Sequence, residues 1–428
     1  MANEAPRYGW YGDDFTGATD TLATLAEAGQ RALLFLQIPT AQQLARAGSL
    51  DAVGIAGATR AMAPEAMARE LEEAGRFFAT LGIGLLHYKC CSTFDSAPDV
   101  GSLGAAARAL RAHFPNPCLP VIGGQPNLAR YCLFGTLFAA AGAGGVVHRI
   151  DRHPTMSVHP VTPMGEADLR RHLQAQGLER VALVDYRSHE GEGGRRTLDA
   201  ALAGAPEAVL FDVSRPSDLA AIGALLRERM SAGPMLAIGA SSVAQAIAGF
   251  PQTPKAEMPK LARSASGGNL LALVGSLSPV TRAQVELAQG YERIAIDPAR
   301  LTREPAYLEA LRIEALASLE QSNVMLITDK PAGVPAETGK VAAATGALLR
   351  AIMSDARIKR LVVAGGDTST LAIRALDLWG LSYRSPCTPG APLCRAHSDD
   401  PRLDGLDIVL KGGQMGTPDF FNRVAETA

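Results

Sequence analysis

The chain has no CxxC pair. Its six cysteines, Cys90, Cys91, Cys118, Cys132, Cys387 and Cys394, are irregularly spaced, which argues against a zinc knuckle, a thioredoxin-like pair or a disulfide framework and fits a reducing cytoplasm. It also has no basic block. Lys plus Arg number 41 against 43 Asp plus Glu, a net charge of −2, so no phosphate-tracking stripe exists and nucleic acid is excluded as a partner. The first residues lack the basic start and apolar run of a secretory signal. The one long uncharged stretch, 131–147, is rich in Gly and Ala and short of the roughly 20 residues a bilayer span needs. A soluble, cytoplasmic protein is expected. No internal repeat and no low-complexity tract is present.

What is there is a large globular chain. At 428 residues, 47% hydrophobic and 20% charged, it has the composition of a folded protein and the length of two or three domains. Short aliphatic runs at 8–11, 32–36, 52–56, 84–89, 181–184, 208–212 and 235–238 alternate with helix-like stretches such as 16–28, 64–80 and 217–229. That alternation predicts βαβ units and a mainly parallel sheet. Residues 251–269 turn to Pro, Ser, Lys and Gly without apolar periodicity, as a linker would. The alternation restarts with strands expected at 270–274, 293–296, 323–328, 360–364 and 407–410. The fold class is therefore α/β, with an N-terminal domain over 1–250 and a C-terminal domain over 270–428.

Three strands of the second domain run into small, polar turns: Val274-Gly275-Ser276-Leu277-Ser278-Pro279, Ala364-Gly365-Gly366-Asp367-Thr368 and Leu410-Lys411-Gly412-Gly413. Open α/β sheets bind ligands outside the carboxyl ends of their strands. Glycines let backbone approach a phosphate, and helix starts supply free N–H donors. A glycine pair after a strand is by itself commonly just a tight turn. Three in one domain favour a nucleotide site, with Ser276, Ser278, Gly365, Gly366, Asp367, Thr368, Lys411, Gly412 and Gly413 as candidates. The pattern is neither G-x-x-x-x-G-K-[ST] nor G-x-G-x-x-G, so neither a P-loop nor a dinucleotide fingerprint is present.

The first strand leads into Gly12-Asp13-Asp14-Phe15-Thr16-Gly17. Two adjacent carboxylates raise each other's pKa. One can cap a helix, and the second can accept a hydroxyl proton or bind Mg²⁺. Arg60, after a later strand, suits a carboxylate, and Lys89-Cys90-Cys91-Ser92-Thr93 follows another. Singly these are ordinary loop charges. Together they describe a pocket for a small hydroxy acid. Cys91 beside Lys89 could be an activated thiolate, although a buried, inert thiol is the commoner outcome. His148, His153 and His159 look metal-like but lack ligand spacing, so the metal ligands stay unassigned. The stretch 123–131 is a loop that can add specificity contacts.

The motifs Gly12-Asp13-Asp14-Phe15-Thr16-Gly17, Gly365-Gly366-Asp367-Thr368 and Lys411-Gly412-Gly413, in that order, resemble the four-carbon acid sugar kinase family across essentially the whole chain. The resemblance implies an N-terminal domain that binds a sugar acid through Asp14, Arg60 and Lys89 to Ser92. It implies a C-terminal domain that binds ATP with Mg²⁺ through the glycine turns, with the active site in the cleft between them. Asp14, helped by Asp13 and Lys89, would be catalytic, and a homodimer is a candidate assembly. Many members read Lys-x-Asp-Ser-Thr-Leu-Arg-Gly where this chain reads Lys89-Cys90-Cys91-Ser92-Thr93-Phe94-Asp95-Ser96. An acid has become Cys91 and a base Asp95, which suggests a divergent subgroup acting on 3-oxo or branched acids such as 3-oxo-isoapionate. Two rival readings are a haloacid-dehalogenase-type phosphotransferase and a sugar-acid sensor without turnover. The first needs Asp-x-Asp, but Phe15 stands two residues after Asp13. The second would show no ATP-dependent turnover.

Overall fold

A computed structural model describes residues 7–159, 161–189, 192–248, 269–275, 278–328, 338–365, 370 and 372–426. The chain divides into two compact units, Met1–Lys255 and Ala256–Ala428. The Pro- and Ser-rich stretch expected as a linker lies outside the described residues except for Asn269, which opens a strand.

The strands of the first unit are β1 (Tyr8–Gly12), β2 (Ala32–Phe35), β3 (Ala52–Ala56), β4 (Leu85–Lys89), β5 (Pro120–Ile122), β6 (Arg130–Leu133), β7 (Thr136–Ala140), β8 (Val147–Arg149), β9 (Val181–Val184), β10 (Ala208–Phe211) and β11 (Met235–Gly239). The main sheet runs β2-β3-β1-β4-β11-β5-β10-β9, and every pairing in that series is parallel. Parallel strands are covered by helices on both faces and so read as unbroken apolar runs. Accordingly every residue of β1, β3, β4 and β11 is buried. The helix Pro64–Thr80 starts with Pro in its first turn and buries Met67, Leu71, Ala74, Gly75 and Phe78, one stripe at helical spacing. Inside the sheet His87 is fully buried. Its Nδ1 accepts from Tyr8 Oη at 2.9 Å, so Nε2–H faces the Gly239 carbonyl at 3.0 Å. The ring is therefore neutral, and burial pushes its pKa down to about 3.

Two features depart from the expected alternation. The uncharged stretch 131–147 falls within a small antiparallel sheet, β6-β7-β8. Its first turn holds Phe134 at φ 52° and Gly135 at φ 80°, the left-handed pair of a two-residue hairpin. The buried carboxylate of Asp212 accepts both of their amides, at 2.5 and 2.9 Å, which holds the turn against β10.

The second unit contains β12 (Asn269–Val274), β13 (Tyr291–Ile296), β14 (Asn323–Thr328), β15 (Ile358–Ala364), β16 (Leu378–Thr388), β17 (Ala391–Ser398) and β18 (Asp407–Lys411). They follow the order β13-β14-β12-β15-β18-β17-β16. The pairings from β13 to β18 are parallel, while β17 and β16 add an antiparallel hairpin. That hairpin is the second departure. Among the described residues no helix is long and apolar enough to cross a membrane.

Candidate active site

In the first unit β1 lies between β3 and β4, with Gly12 level with Ala56 on one side and Lys89 on the other. From β1 the chain lays β2 and β3 on one flank and then crosses to β4 on the opposite flank. This is a switch point, where connections diverge and leave a crevice at the carboxyl ends. The turns after β1, β3 and β4 therefore converge, bringing together Asp13, Asp14, Arg60 and Lys89 to Ser92.

The helix α1 (Phe15–Glu27) begins here. Asp14 is its N-cap, accepting the Gly17 amide at 2.7 Å, which satisfies one of the free donors of the first turn. Arg60 forks onto Asp13 through Nε and Nη2, at 3.0 and 2.8 Å, and reaches Asp14 Oδ2 through Nη1 at 2.8 Å. Both carboxylates are under 5% exposed, and burial pushes the Asp13 carboxyl up against the pull of Arg60. The guanidinium expected to meet a substrate carboxylate is thus already engaged. Buried acids need a partner, and the adjacency of β3 and β1 supplies Arg60.

Lys89 is buried and donates to the Cys90 carbonyl at 2.7 Å. A Cβ on Gly17 would stand 2.4 Å from Lys89 Nζ and 2.7 Å from Asp14 Oδ1, so only glycine lets the ammonium lie over the first turn of α1. After Lys89 the chain turns tightly, with Ser92 buried and Phe94 held at φ 55°. Cys91 Sγ and Thr93 Oγ1 are 2.9 Å apart, and Thr93 donates to Asp95 Oδ1 at 2.6 Å. Burial works to raise the Asp95 carboxyl, but Arg60 and the hydrogen bonds from Cys91 and Thr93 outweigh it and hold it below its ordinary value. Burial also lifts the thiol of Cys90 well above its usual range and that of Cys91 to about 11. Neither cysteine is a thiolate nucleophile near neutral pH.

In the second unit β12 lies between β14 and β15, again a switch point, with Val274 level with Ala364 and Ala364 level with Lys411. Gly275 N donates to the Ala364 carbonyl at 2.9 Å and Gly365 N to the Lys411 carbonyl at 2.7 Å. The strand ends that lead into the three expected turns therefore stand side by side. Gly365, at φ 134°, adopts a conformation open to glycine. Ser276, Gly366, Asp367 and Thr368 lie outside the described residues. Ser278 Oγ caps the helix Pro279–Leu287, accepting Thr281 N at 3.1 Å, and donates to the Gly413 carbonyl. Lys411, expected to reach phosphate oxygens, points inward. Its Nζ is buried and meets Thr281 Oγ1 at 2.9 Å and the Gly412 and Met415 carbonyls at 3.1 and 3.3 Å. Burial pushes that ammonium down to about 7. Ser278 and Lys411 thus brace the Gly412-Gly413 turn.

Of the histidines singled out by composition, His148 and His153 meet edge to face with ring centroids 5.9 Å apart, but the ring nitrogens of His153 and His159 are taken up locally. His153 Nδ1 accepts the Thr155 and Met156 amides, and His159 meets Thr162. Among the described residues no group of three His, Cys, Asp or Glu is arranged to hold a metal. The residue that sequence reasoning left unremarked is Arg130, buried at the start of β6. It was legible only as part of the loop 123–131.

Two family models match. A sugar-binding N-terminal domain covers residues 8–247, and a nucleotide-binding C-terminal domain covers 271–421. The chain belongs to the four-carbon acid sugar kinase family. Among its relatives, the 3-oxo-isoapionate kinase of Paraburkholderia graminis is 38% identical over 97% of this chain and 93% of its own length. The 3-oxo-tetronate kinase of Pseudomonas fluorescens is 32% identical over 99% of this chain and 97% of its own length. A solved chain from Salmonella typhimurium LT2 superposes with a TM-score of 0.75 at 26% identity, covering 98% of each chain. Haemophilus influenzae protein HI1011 shares the fold, with a TM-score of 0.68 at 23% identity over 97% of this chain and 98% of its own.

Proposed function

We propose that the chain transfers the terminal phosphoryl group of ATP to a hydroxyl of a small 3-oxo or branched sugar acid. Family membership makes it a sugar-acid kinase. The finer reading rests on one observation above all: the turns after β1, β3 and β4 gather two carboxylates, a guanidinium and a buried ammonium at the switch point of the unit matched by the sugar-binding model. The greater identity to a 3-oxo-isoapionate kinase than to a 3-oxo-tetronate kinase supports a branched acid.

In this reading Asp14 orients the acceptor hydroxyl and takes its proton as the new P–O bond forms and the bond to ADP breaks. Asp13, fixed by the Arg60 fork, holds Arg60 in place to keep Asp14 oriented. Lys89 offsets negative charge on the transferring group, and Ser92 with the Cys90-Cys91 backbone borders the acid. In the second unit the turns after β12, β15 and β18 receive the nucleotide, with Gly365, Gly412 and Gly413 giving close backbone approach. Kinases use Mg²⁺ to neutralise the charge of the phosphates. The domain boundary we assign is an acid-binding part over 1–250 and a nucleotide-binding part over 270–428, in a cytoplasmic enzyme.

The test is ADP release with Mg·ATP across 3-oxo-isoapionate, 3-oxo-tetronate, threonate and erythronate. Turnover that depends on one acid supports the reading and names the substrate. ATP binding without turnover of any of them removes it.

A further inference from the structure

A substrate carboxylate needs a cation that is not already paired, and the groups beside Asp14 are nearly all spoken for. Arg60 gives three hydrogen bonds to Asp13 and Asp14, and Lys89, which donates to the Cys90 carbonyl, is assigned in this reading to the charge of the transferring phosphoryl group. Asp13, Asp14 and Asp95 already put three carboxylates in the neighbourhood, and a fourth would be repelled without a further positive group.

Two arginines among the described residues are buried, Arg130 and Arg360. Arg360 is held by Asp407 at 3.2 Å and by the Val424 carbonyl. Arg130 has no such partner. At 5% exposure its Nε is buried without an acceptor, and its Nη1 reaches only the Leu128 carbonyl. Among the described residues no carboxylate pairs with it. An unpaired buried guanidinium costs free energy, and burial pushes its pKa down. A fold keeps such a group where something else gains from it.

The location ties Arg130 to the site twice. It closes the loop 125–130 by pairing its backbone with Gln125, at 2.9 and 3.2 Å. Gln125 Nε2 in turn donates to Asp20 Oδ2 at 3.0 Å, and Asp20 lies on α1, the helix that Asp14 caps. Arg130 is also within electrostatic reach of Cys91, in the turn after Lys89. Within the loop, Ala129 is held at φ 55°, a conformation that costs a residue with a Cβ about 1 kcal/mol.

We propose that Arg130 binds the carboxylate of the acid substrate and sets the enzyme's selectivity for acids over neutral polyols, while Arg60 positions the two aspartates. The inference rests on the kinase reading and deepens it. Its test compares wild type with Arg130→Met and Arg130→Lys in the full-length chain, using whichever panel acid wild type phosphorylates and the amide of that acid. With Arg130→Met, KM for the acid should rise about 100-fold while KM for ATP and kcat/KM for the amide stay within about threefold. Arg130→Lys, which keeps the charge and loses the fork, should fall between the two. Because the removed charge is unpaired, Arg130→Met should keep or raise the melting temperature.

An unchanged KM for the acid overturns the proposal. So does an equal loss for acid and amide, or a fall in melting temperature accompanied by loss of ATP binding, since either marks a purely structural arginine. A wild type that phosphorylates no acid of the panel overturns the kinase reading itself, and the proposal with it, so the two failures are separable.

Discussion

At the residue scale the candidate site turns on how one guanidinium is divided. Arg60 gives Asp13 two hydrogen bonds and Asp14 one, so Asp13 is clamped while Asp14 keeps a freer carboxylate that also caps α1. Replacing Asp14 with Asn keeps a cap, because Asn serves that position about as well as Asp, and removes the carboxylate proposed as proton acceptor. We expect kcat to fall about 1,000-fold with the melting temperature nearly unchanged and ATP binding retained. Steady-state kinetics beside a nucleotide titration would check this, and unchanged turnover would remove Asp14 from the chemistry. The sequence displayed these charges but not their partners. Arg60 reads as a free carboxylate receptor until β3 is known to lie beside β1, because strand order decides which charges meet. Lys411 misleads for a related reason: it follows a strand and precedes two glycines, yet its ammonium turns inward to Thr281 and two carbonyls.

At the scale of elements, the start of α1 makes a sharper prediction than any charge. Gly17 lies in the first turn of the helix, and alanine there would ordinarily favour the helix by up to about 1 kcal/mol. The missing side chain is nonetheless required, since a Cβ would stand 2.4 Å from Lys89 Nζ and 2.7 Å from Asp14 Oδ1. Gly17→Ala should therefore leave melting within a few degrees of wild type while lowering kcat/KM for the acid about 100-fold, a loss on the scale of misplacing a catalytic group by about 1 Å. Thermal unfolding and kinetics on one preparation would check the split, and equal losses in both would point to misfolding. The elements themselves were unevenly legible. The helix expected at 64–80 and the strand at 323–328 match the observed Pro64–Thr80 and Asn323–Thr328, because a parallel strand buried on both faces is a plain aliphatic run. The β6-β7-β8 sheet and the β16-β17 hairpin were not. They are antiparallel and partly exposed, and the pair Phe134-Gly135 is a weak turn signal beside Asn-Gly.

At the scale of the whole first unit, a sheet sealed on both faces carries a cost in acid. His87 lies on β4 between β1 and β11, fully buried, with both ring nitrogens engaged by Tyr8 and Gly239. Its folded pKa is depressed to about 3 from the ordinary 6.5, so between those values the unfolded chain binds a proton that the folded chain refuses. Stability is therefore unaffected by this group above about pH 6.5 and falls as pH drops from there toward 3. Between pH 7 and pH 4.5 the loss should be about 2 kcal/mol. Gln at this position is neutral throughout and can still donate to the Gly239 carbonyl, so His87→Gln should be less stable at pH 7, where a well-packed ring is lost, yet decline less on acidification. Urea unfolding of both proteins at pH 7 and pH 4.5 tests this, the quantity of interest being the difference between the two declines. Parallel declines would mean that the ring takes up a proton in the folded state, which would require the interior of the sheet to admit water or an anion beside β4.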